Sequence, residues 1–135
     1  MHRLEFTRVH DYSAGNESII VPVVLHSGAN RIPVAASLDT GASFCVFGTE
    51  IAEALGLDLT SGIRRRFRTA NSVFDAYGHE VEIVALGLGT RAVVYFFADP
   101  MIDKNVLGRT GCLDRFQLAL VHHDSKVYLA SYDGS

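Results

Sequence analysis

Cysteine is scarce in this chain of 135 residues: Cys45 and Cys112 are too few for a disulfide framework and lack the spacing of a zinc site. Both read as buried, reduced thiols acting as small apolar groups, and nothing in the sequence sets a histidine beside either to activate a nucleophile. Long hydrophobic runs are also missing. The longest apolar stretches, such as Ala92 to Ala98, are far too short to cross a bilayer, so no membrane partner is expected. The segment Met1 to Arg8 is charged and has no apolar core of the kind a secretory signal needs, which makes a soluble, cytoplasmic protein the expectation. An excess of positive charge is lacking as well. The net charge of −3 offers no general basic field to a nucleic acid backbone, and no nucleic acid partner is expected.

What is present is an ordinary globular balance, 48% apolar and 20% charged, in a length that suits one domain over residues 1–135. Strand signals dominate. Ser18 to Leu25 is rich in β-branched residues, with Pro22 marking an edge or irregular strand. His26-Ser27-Gly28-Ala29-Asn30 reads as a turn, and Arg31 to Leu38 returns as the second arm of a hairpin ending at Asp39. Phe44 to Phe47 is another short strand. One helix follows, with Thr49 as N-cap, Glu50 and Glu53 early, Ile51 and Leu55 on one face, and Gly56 at the C′ stop. The chain then reads as β over residues 60–69, 78–87 and 91–98, with Gly87-Leu88-Gly89 as the turn between the last two. Asn105 to Gly108 is a short buried strand, Arg109 to Phe116 one or two helical turns, and Phe116 to Val121 and Val127 to Ser131 the closing strands. Asp133-Gly134-Ser135 is expected to fray.

Chemistry concentrates at Leu38-Asp39-Thr40-Gly41-Ala42-Ser43. A strand ending in Asp fixes a carboxylate, and a glycine two residues on lets the backbone approach a partner or substrate closely. The Thr40 hydroxyl is able to bond across a two-fold axis. Asp, Thr and Gly are also common turn residues, so the triplet alone is a weak signal. A second element downstream, Asn105-Val106-Leu107-Gly108-Arg109, strengthens it.

With both elements in this order and spacing, residues 18–131 resemble the retropepsin-like family of single-domain, homodimeric aspartic proteases. That family's active-site loop reads apolar-Asp-Thr-Gly-Ala, matched by Leu38 to Ala42, with Ala42 similar to the retroviral-type branch. Its pair of bulky apolar residues and glycine that thread behind the loop are matched by Val106-Leu107-Gly108. The resemblance implies an all-β, closed-barrel acid-protease fold with one or two short helices, a flap hairpin and a two-fold dimer. It also implies peptide-bond hydrolysis. The triplet occurs once, so the second carboxylate comes from a second copy, and the two Asp39 side chains share one proton because like charges about 3 Å apart cannot both stay ionised. One Asp39 acts as general base on a water while the other hydrogen-bonds the scissile carbonyl. No metal and no cofactor are implied; the partners implied are a homodimer mate and an extended peptide or protein substrate laid along the flap strands.

The flap slot is Phe67 to Gly78, with Ala70, Asn71, Ser72, Val73 and Phe74 as the substrate-binding candidates and Asn71-Ser72 as the turn. It departs from the glycine-rich retroviral flap, since Gly78 at its base is its one glycine. Arg109 occupies the place of an arginine that, in retroviral members, pairs with an acidic residue four positions after the catalytic Asp; here that position is Ser43. These departures sustain an alternative: a catalytically silent dimer of this fold acting as a peptide-binding or assembly module.

Other clusters carry less. In an alternating strand Arg64, Arg66 and Arg68 share one face and Arg65 and Phe67 the other, which favours a solvated sheet face or a surface selecting acidic substrates over a nucleic acid patch. Adjacent His122 and His123 would point to opposite faces of a strand, so they read as a turn before Lys126 rather than a metal site. Gly41-Ala42-Ser43-Phe44-Cys45 misses the last glycine of a nucleophile elbow and is rejected.

Overall fold

In the computed structural model, which describes residues 1–132, the chain forms strands β1 (Arg8–Asp11), β2 (Ile20–Ser27), β3 (Asn30–Leu38) and β4 (Val46–Phe47), then helix α1 (Thr49–Ala54). Strands β5 (Ile63–Arg68), β6 (Val73–Ala85), β7 (Leu88–Phe97), β8 (Val106–Leu107), β9 (Phe116–Val121) and β10 (Lys126–Ser131) follow. The expectation for Asp133-Gly134-Ser135 lies outside the described residues. Seven strands make one sheet in the order β2-β3-β8-β4-β7-β6-β5, and an extra β2–β6 ladder bends it back on itself into a barrel. Among the described residues no helix is long and apolar enough to cross a membrane.

Local chemistry explains the hairpins. Gly28 supplies the positive φ of 56° for the two-residue Gly28-Ala29 turn, so β2 and β3 run on into the segment that reads as loop from sequence. Pro22 lies just beyond the β6 ladder, which starts at Val23, so β2 has only β3 beside it there. The β6–β7 turn differs from the expected Gly87-Leu88-Gly89. It is Leu86-Gly87, with φ of 50° and 85°, and Leu88 and Gly89 already belong to β7. The twist of a tight hairpin demands positive φ at both central residues, and Leu86 adopts it despite its side chain.

The apolar run Arg91 to Ala98 is explained by burial on both faces of β7. Val94 and Phe96 point into the barrel core with Leu25, Phe47 and Ile83, whereas Tyr95 and Phe97 join a second cluster with Val46 and Ala76. Burying Phe47 and Phe96 contributes about 1.5–3 kcal/mol each. Helix α1, too short to hold by itself, is kept by burial of Ile51, Ala52 and Leu55. Thr49 is not its N-cap. Gly48 takes that position, and the buried Thr49 hydroxyl instead donates to the Phe97 carbonyl at 2.6 Å. Gly56 does end the helix, at φ 72°, and the Asn30 side chain donates to the Leu55 carbonyl at 3.1 Å.

Two further differences concern the chain ends. Residues 109–115 form a series of turns, not helical turns, as Gly111 at φ 100° and the Thr110–Phe44 bridge break any helical run. β1, which sequence reasoning left unassigned, is an edge strand of a three-stranded sheet, β1-β10-β9. His122 and His123 lie in a 3₁₀ turn before β10, with His122 Nδ1 hydrogen-bonded to the Tyr12 hydroxyl.

Strand β8 is inserted between β3 and β4, parallel to the first and antiparallel to the second. At its end the loop from Ala42 to Phe44 presses on Gly108: a Cβ there would lie 2.2 Å from the Phe44 carbonyl oxygen and 2.9 Å from that of Ala42. Backbone cannot rotate out of the way. Gly108→Ala should therefore cost about 3 kcal/mol. Gly15→Ala, whose Cβ would meet nothing nearer than Ser13 Oγ at 3.9 Å, serves as the control. Equal urea midpoints for the two variants would refute this account of Gly108.

Candidate active site

Asp39 leaves β3 with its amide donating to the Leu107 carbonyl at 3.0 Å, so β8 fixes where the carboxylate begins. Its Oδ1 accepts the Gly41 amide at 2.9 Å, and the Ala42 amide closes the turn onto the Asp39 carbonyl at 3.2 Å. The far side of the loop is held in turn: the Arg109 and Thr110 amides each donate, at 2.9 Å, to the Ala42 and Ser43 carbonyls. Asp39, Thr40 and Gly41 are exposed, and the Thr40 hydroxyl has no hydrogen bond among the described residues. Val106, Leu107 and Gly108 thus lie behind the loop, with Leu107 fully buried. Arg109 is exposed and its guanidinium donates to Ser43 Oγ at 3.2 Å, so the two positions meet through a hydrogen bond to a neutral hydroxyl where an ion pair would need an acid.

Beneath the loop, Cys45 is buried and its sulfur accepts the Gly108 amide at 3.4 Å. Cys112 is buried as well, and the neighbouring Cys45 together with desolvation pushes its thiol far above the ordinary value. Both are free and buried, with no disulfide between them. Among the described residues no group of three His, Cys, Asp or Glu is placed to hold a metal ion.

The carboxylate opens on a groove of about 390 Å³ between the loop and the β5–β6 hairpin. Its apolar wall is Phe44, Val46, Phe67, Phe74, Phe97 and Val106. The rings interlock, with centroids 5.7 Å apart for Phe44–Phe67, 5.1 Å for Phe67–Phe74 and 5.0 Å for Phe74–Phe97. The Arg65 guanidinium sits 4.2 Å over the Phe44 ring, joining hairpin and loop by a cation–π contact. Arg68 and Lys104 complete the lining on the polar side.

Of the flap candidates, Phe74 lines this groove, while Ala70, Asn71, Ser72 and Val73 stand exposed around the hairpin tip. The turn is Ala70-Asn71, one residue earlier than the Asn71-Ser72 expected, because the Thr69 amide donates to the Ser72 carbonyl at 2.8 Å and the two side chains bond each other. Groove residues that sequence reasoning did not single out are Phe44, Phe97 and Lys104, whereas Phe67 opens the expected flap slot and Arg68 belongs to the arginine face read as solvated or as selecting acidic substrates. Alternation and pairing carry a signal for the aromatic ones: Phe67 lies opposite Phe74, and Ala76 opposite Phe97, on one face of the sheet. Lys104, in the loop before β8, has no such signal.

A model of the aspartyl protease family matches residues 21–119, a span holding both Asp39 and Gly108. The chain belongs to the aspartyl protease family. Among solved structures this family member is similar to a retropepsin-like aspartic protease from Rickettsia conorii, with a TM-score of 0.67 and 21% identity over 90% of this chain and 97% of that one. It is also similar to the retroviral protease-like domain of Ddi1 from Leishmania major, at TM-score 0.59 and 19% identity over 83% and 91% of the two chains. EIAV protease complexed with the inhibitor HBY-793 follows at TM-score 0.53 and 19% identity over 72% and 86%. Likeness at these identities shows the fold, which is retropepsin-like and mostly β. A comparison with curated proteins gives no match.

In this aspartyl protease family member the outer face of the hairpin is pinned by Asp75, which accepts from Arg64 at 2.8 Å and Arg66 at 3.0 Å. The hydrogen bonds from Arg66 and then Arg64 hold the Asp75 carboxyl below the usual carboxylate value. A depressed acid stabilises the fold above its unfolded pKa of about 4 and loses that contribution as pH falls through its lower folded value. Asp75→Asn should therefore lower the urea midpoint at neutral pH, and the gap to wild type should close towards about pH 3. A gap that persists undiminished in acid would exclude the ion pairs as its cause.

Proposed function

We propose that this protein is an aspartic endopeptidase in which two Asp39 carboxylates, one from each chain of a two-fold dimer, activate a water for attack on a peptide bond. The observation that carries this reading is the state of Asp39 and its loop. It is the one carboxylate lining the groove among the described residues, and it is exposed and makes no ion pair, on a loop clamped by β8. A rigid, solvent-facing loop with a free Thr40 hydroxyl suits contact with a copy of itself. The dyad holds one proton between two oxygens. The ionised member takes a proton from water while the protonated member hydrogen-bonds the scissile carbonyl; the tetrahedral adduct then collapses as its nitrogen is protonated. No metal, cofactor or covalent intermediate enters this scheme.

Asp103 lines a cleft that adjoins the groove at Asp39, Lys104 and Val106. It supplies a discriminating variant. Asp39→Asn should abolish hydrolysis with the fold retained by circular dichroism, whereas Asp103→Asn should keep it; loss with Asp103→Asn alone would put the second carboxylate in the same chain. Specific activity should fall on dilution in step with dissociation followed by sedimentation. The profile of kcat/KM against pH should be bell-shaped, because the singly protonated pair exists between two apparent pKa values that belong to the pair. Chelators and serine- or thiol-directed reagents should have no effect. Activity rising steadily into alkaline pH would refute the shared-proton mechanism, and peptide binding without turnover would leave a silent binding module.

A further inference from the structure

The charges around the groove are unbalanced in a way that the fold does not require. Six of the twelve cations of this chain are engaged by an acid or a ring: Arg64 and Arg66 by Asp75, Arg91 by Glu80, Arg115 by Asp114, Lys126 by Asp11 and Arg65 by the Phe44 ring. Among the described residues the other six, Arg3, Arg8, Arg31, Arg68, Lys104 and Arg109, have no such partner, and of these Arg68 and Lys104 line the groove that holds Asp39. They come from different elements, Arg68 from the end of β5 and Lys104 from the loop before β8. The groove's own lining therefore carries two cations against the single acid Asp39, although the chain as a whole is at −3. Both residues line the same groove as the Phe44, Phe67, Phe74 and Phe97 rings, and both are exposed.

We propose that this groove selects peptides in which a large apolar side chain is flanked by Asp or Glu, the apolar group entering the Phe44–Phe67–Phe74–Phe97 wall while Arg68 and Lys104 take up the carboxylate. The inference rests on the reading of the groove as a peptide site. Arg68 and Lys104 set which peptide binds; Asp39 sets whether it is cut. A basic flanking residue meets like charge at the same two positions, which disfavours it as strongly as the acid is favoured. Because both cations are exposed, the preference is screened by salt.

The test uses the Asp39→Asn protein, so that binding is read without turnover, and three fluorescein-labelled peptides with one Leu-Phe centre flanked by Glu, Gln or Lys. Anisotropy at low ionic strength should give the order Glu, Gln, Lys, with the Glu peptide about tenfold tighter than the Lys peptide. Adding Arg68→Glu and Lys104→Glu should reverse the order of the Glu and Lys peptides. Arg68→Gln with Lys104→Gln should merely level it, which guards against misfolding of the reversed variant. Equal binding of the three peptides, or an order that survives charge reversal, overturns the inference. Wild-type cleavage of all three without preference does so too, yet leaves the protease reading intact. Failure of every peptide to bind overturns both.

Discussion

Threading β8 between β3 and β4 is the constraint on which the rest of the site depends. The loop that carries Asp39 leaves one neighbour of β8 and returns as the other, so its two ends are fixed by the same strand. Four backbone hydrogen bonds, from Asp39 to Leu107 on the way out and from Ala42 through Arg109 and Thr110 on the way back, leave its conformation little freedom. Such closure is possible only if the two backbones come within contact distance, and Gly108 under the Phe44 carbonyl is where they do. A carboxylate on an exposed loop would ordinarily be mobile. Here the loop takes its rigidity from a strand of two residues that is otherwise too short to matter.

That same insertion sets the groove. β4 follows the loop and pairs in parallel with β7, Val46 opposite Tyr95 and Phe47 opposite Phe96. Strand alternation then sends Phe47 and Phe96 into the barrel and leaves Val46, Tyr95 and Phe97 on the far side. The second cluster is thus an obligatory by-product of burying the first on both faces of one strand. It lies beside Asp39 because β4 starts where the loop ends. The hydrophobic wall of the groove and the core of the barrel are two faces of the same two strands.

Much of this was legible before the structure. Leu38-Asp39-Thr40-Gly41 and Val106-Leu107-Gly108 are local signals: strand residues, a turn, and a glycine where only glycine fits. The hairpin of β2 and β3, Gly56 at the helix end and the opposite faces of Arg65 and Arg66 follow from periodicity and turn chemistry in the same way. Where reading failed, a tertiary partner decided. Thr49 has the right chemistry for a cap, but the Phe97 carbonyl, 48 residues away, claims its hydroxyl. Residues 109–115 have nothing against helix in their composition beyond Gly111, yet the bridge from Thr110 to Phe44 pulls the segment out of helical register. β1 shows no apolar alternation because it is an edge strand that buries almost nothing. The groove-lining role of Lys104 needs the loop before β8 to pass beside the hairpin, which no local pattern encodes.

The β5–β6 hairpin joins the Asp39 loop through side chains that divide by face. On the outer face Arg64 and Arg66 grip Asp75, a cross-strand brace that is open to water. On the inner face Arg65 stacks on Phe44, and Phe67 sits between Phe44, Phe74 and Tyr95. Exposed ion pairs are individually weak, so the brace contributes only modestly to stability. The aromatic contacts are the stronger tie, and they end at Phe44, five residues from Asp39 and directly above Gly108. A displacement of the hairpin is therefore resisted at the same residue that presses the loop onto β8. The hairpin tip, Thr69 to Ser72, lies beyond the last of these contacts and is closed only by its own hydrogen bonds. The contacts that hold the tip are thereby separate from those that fix the position of the carboxylate.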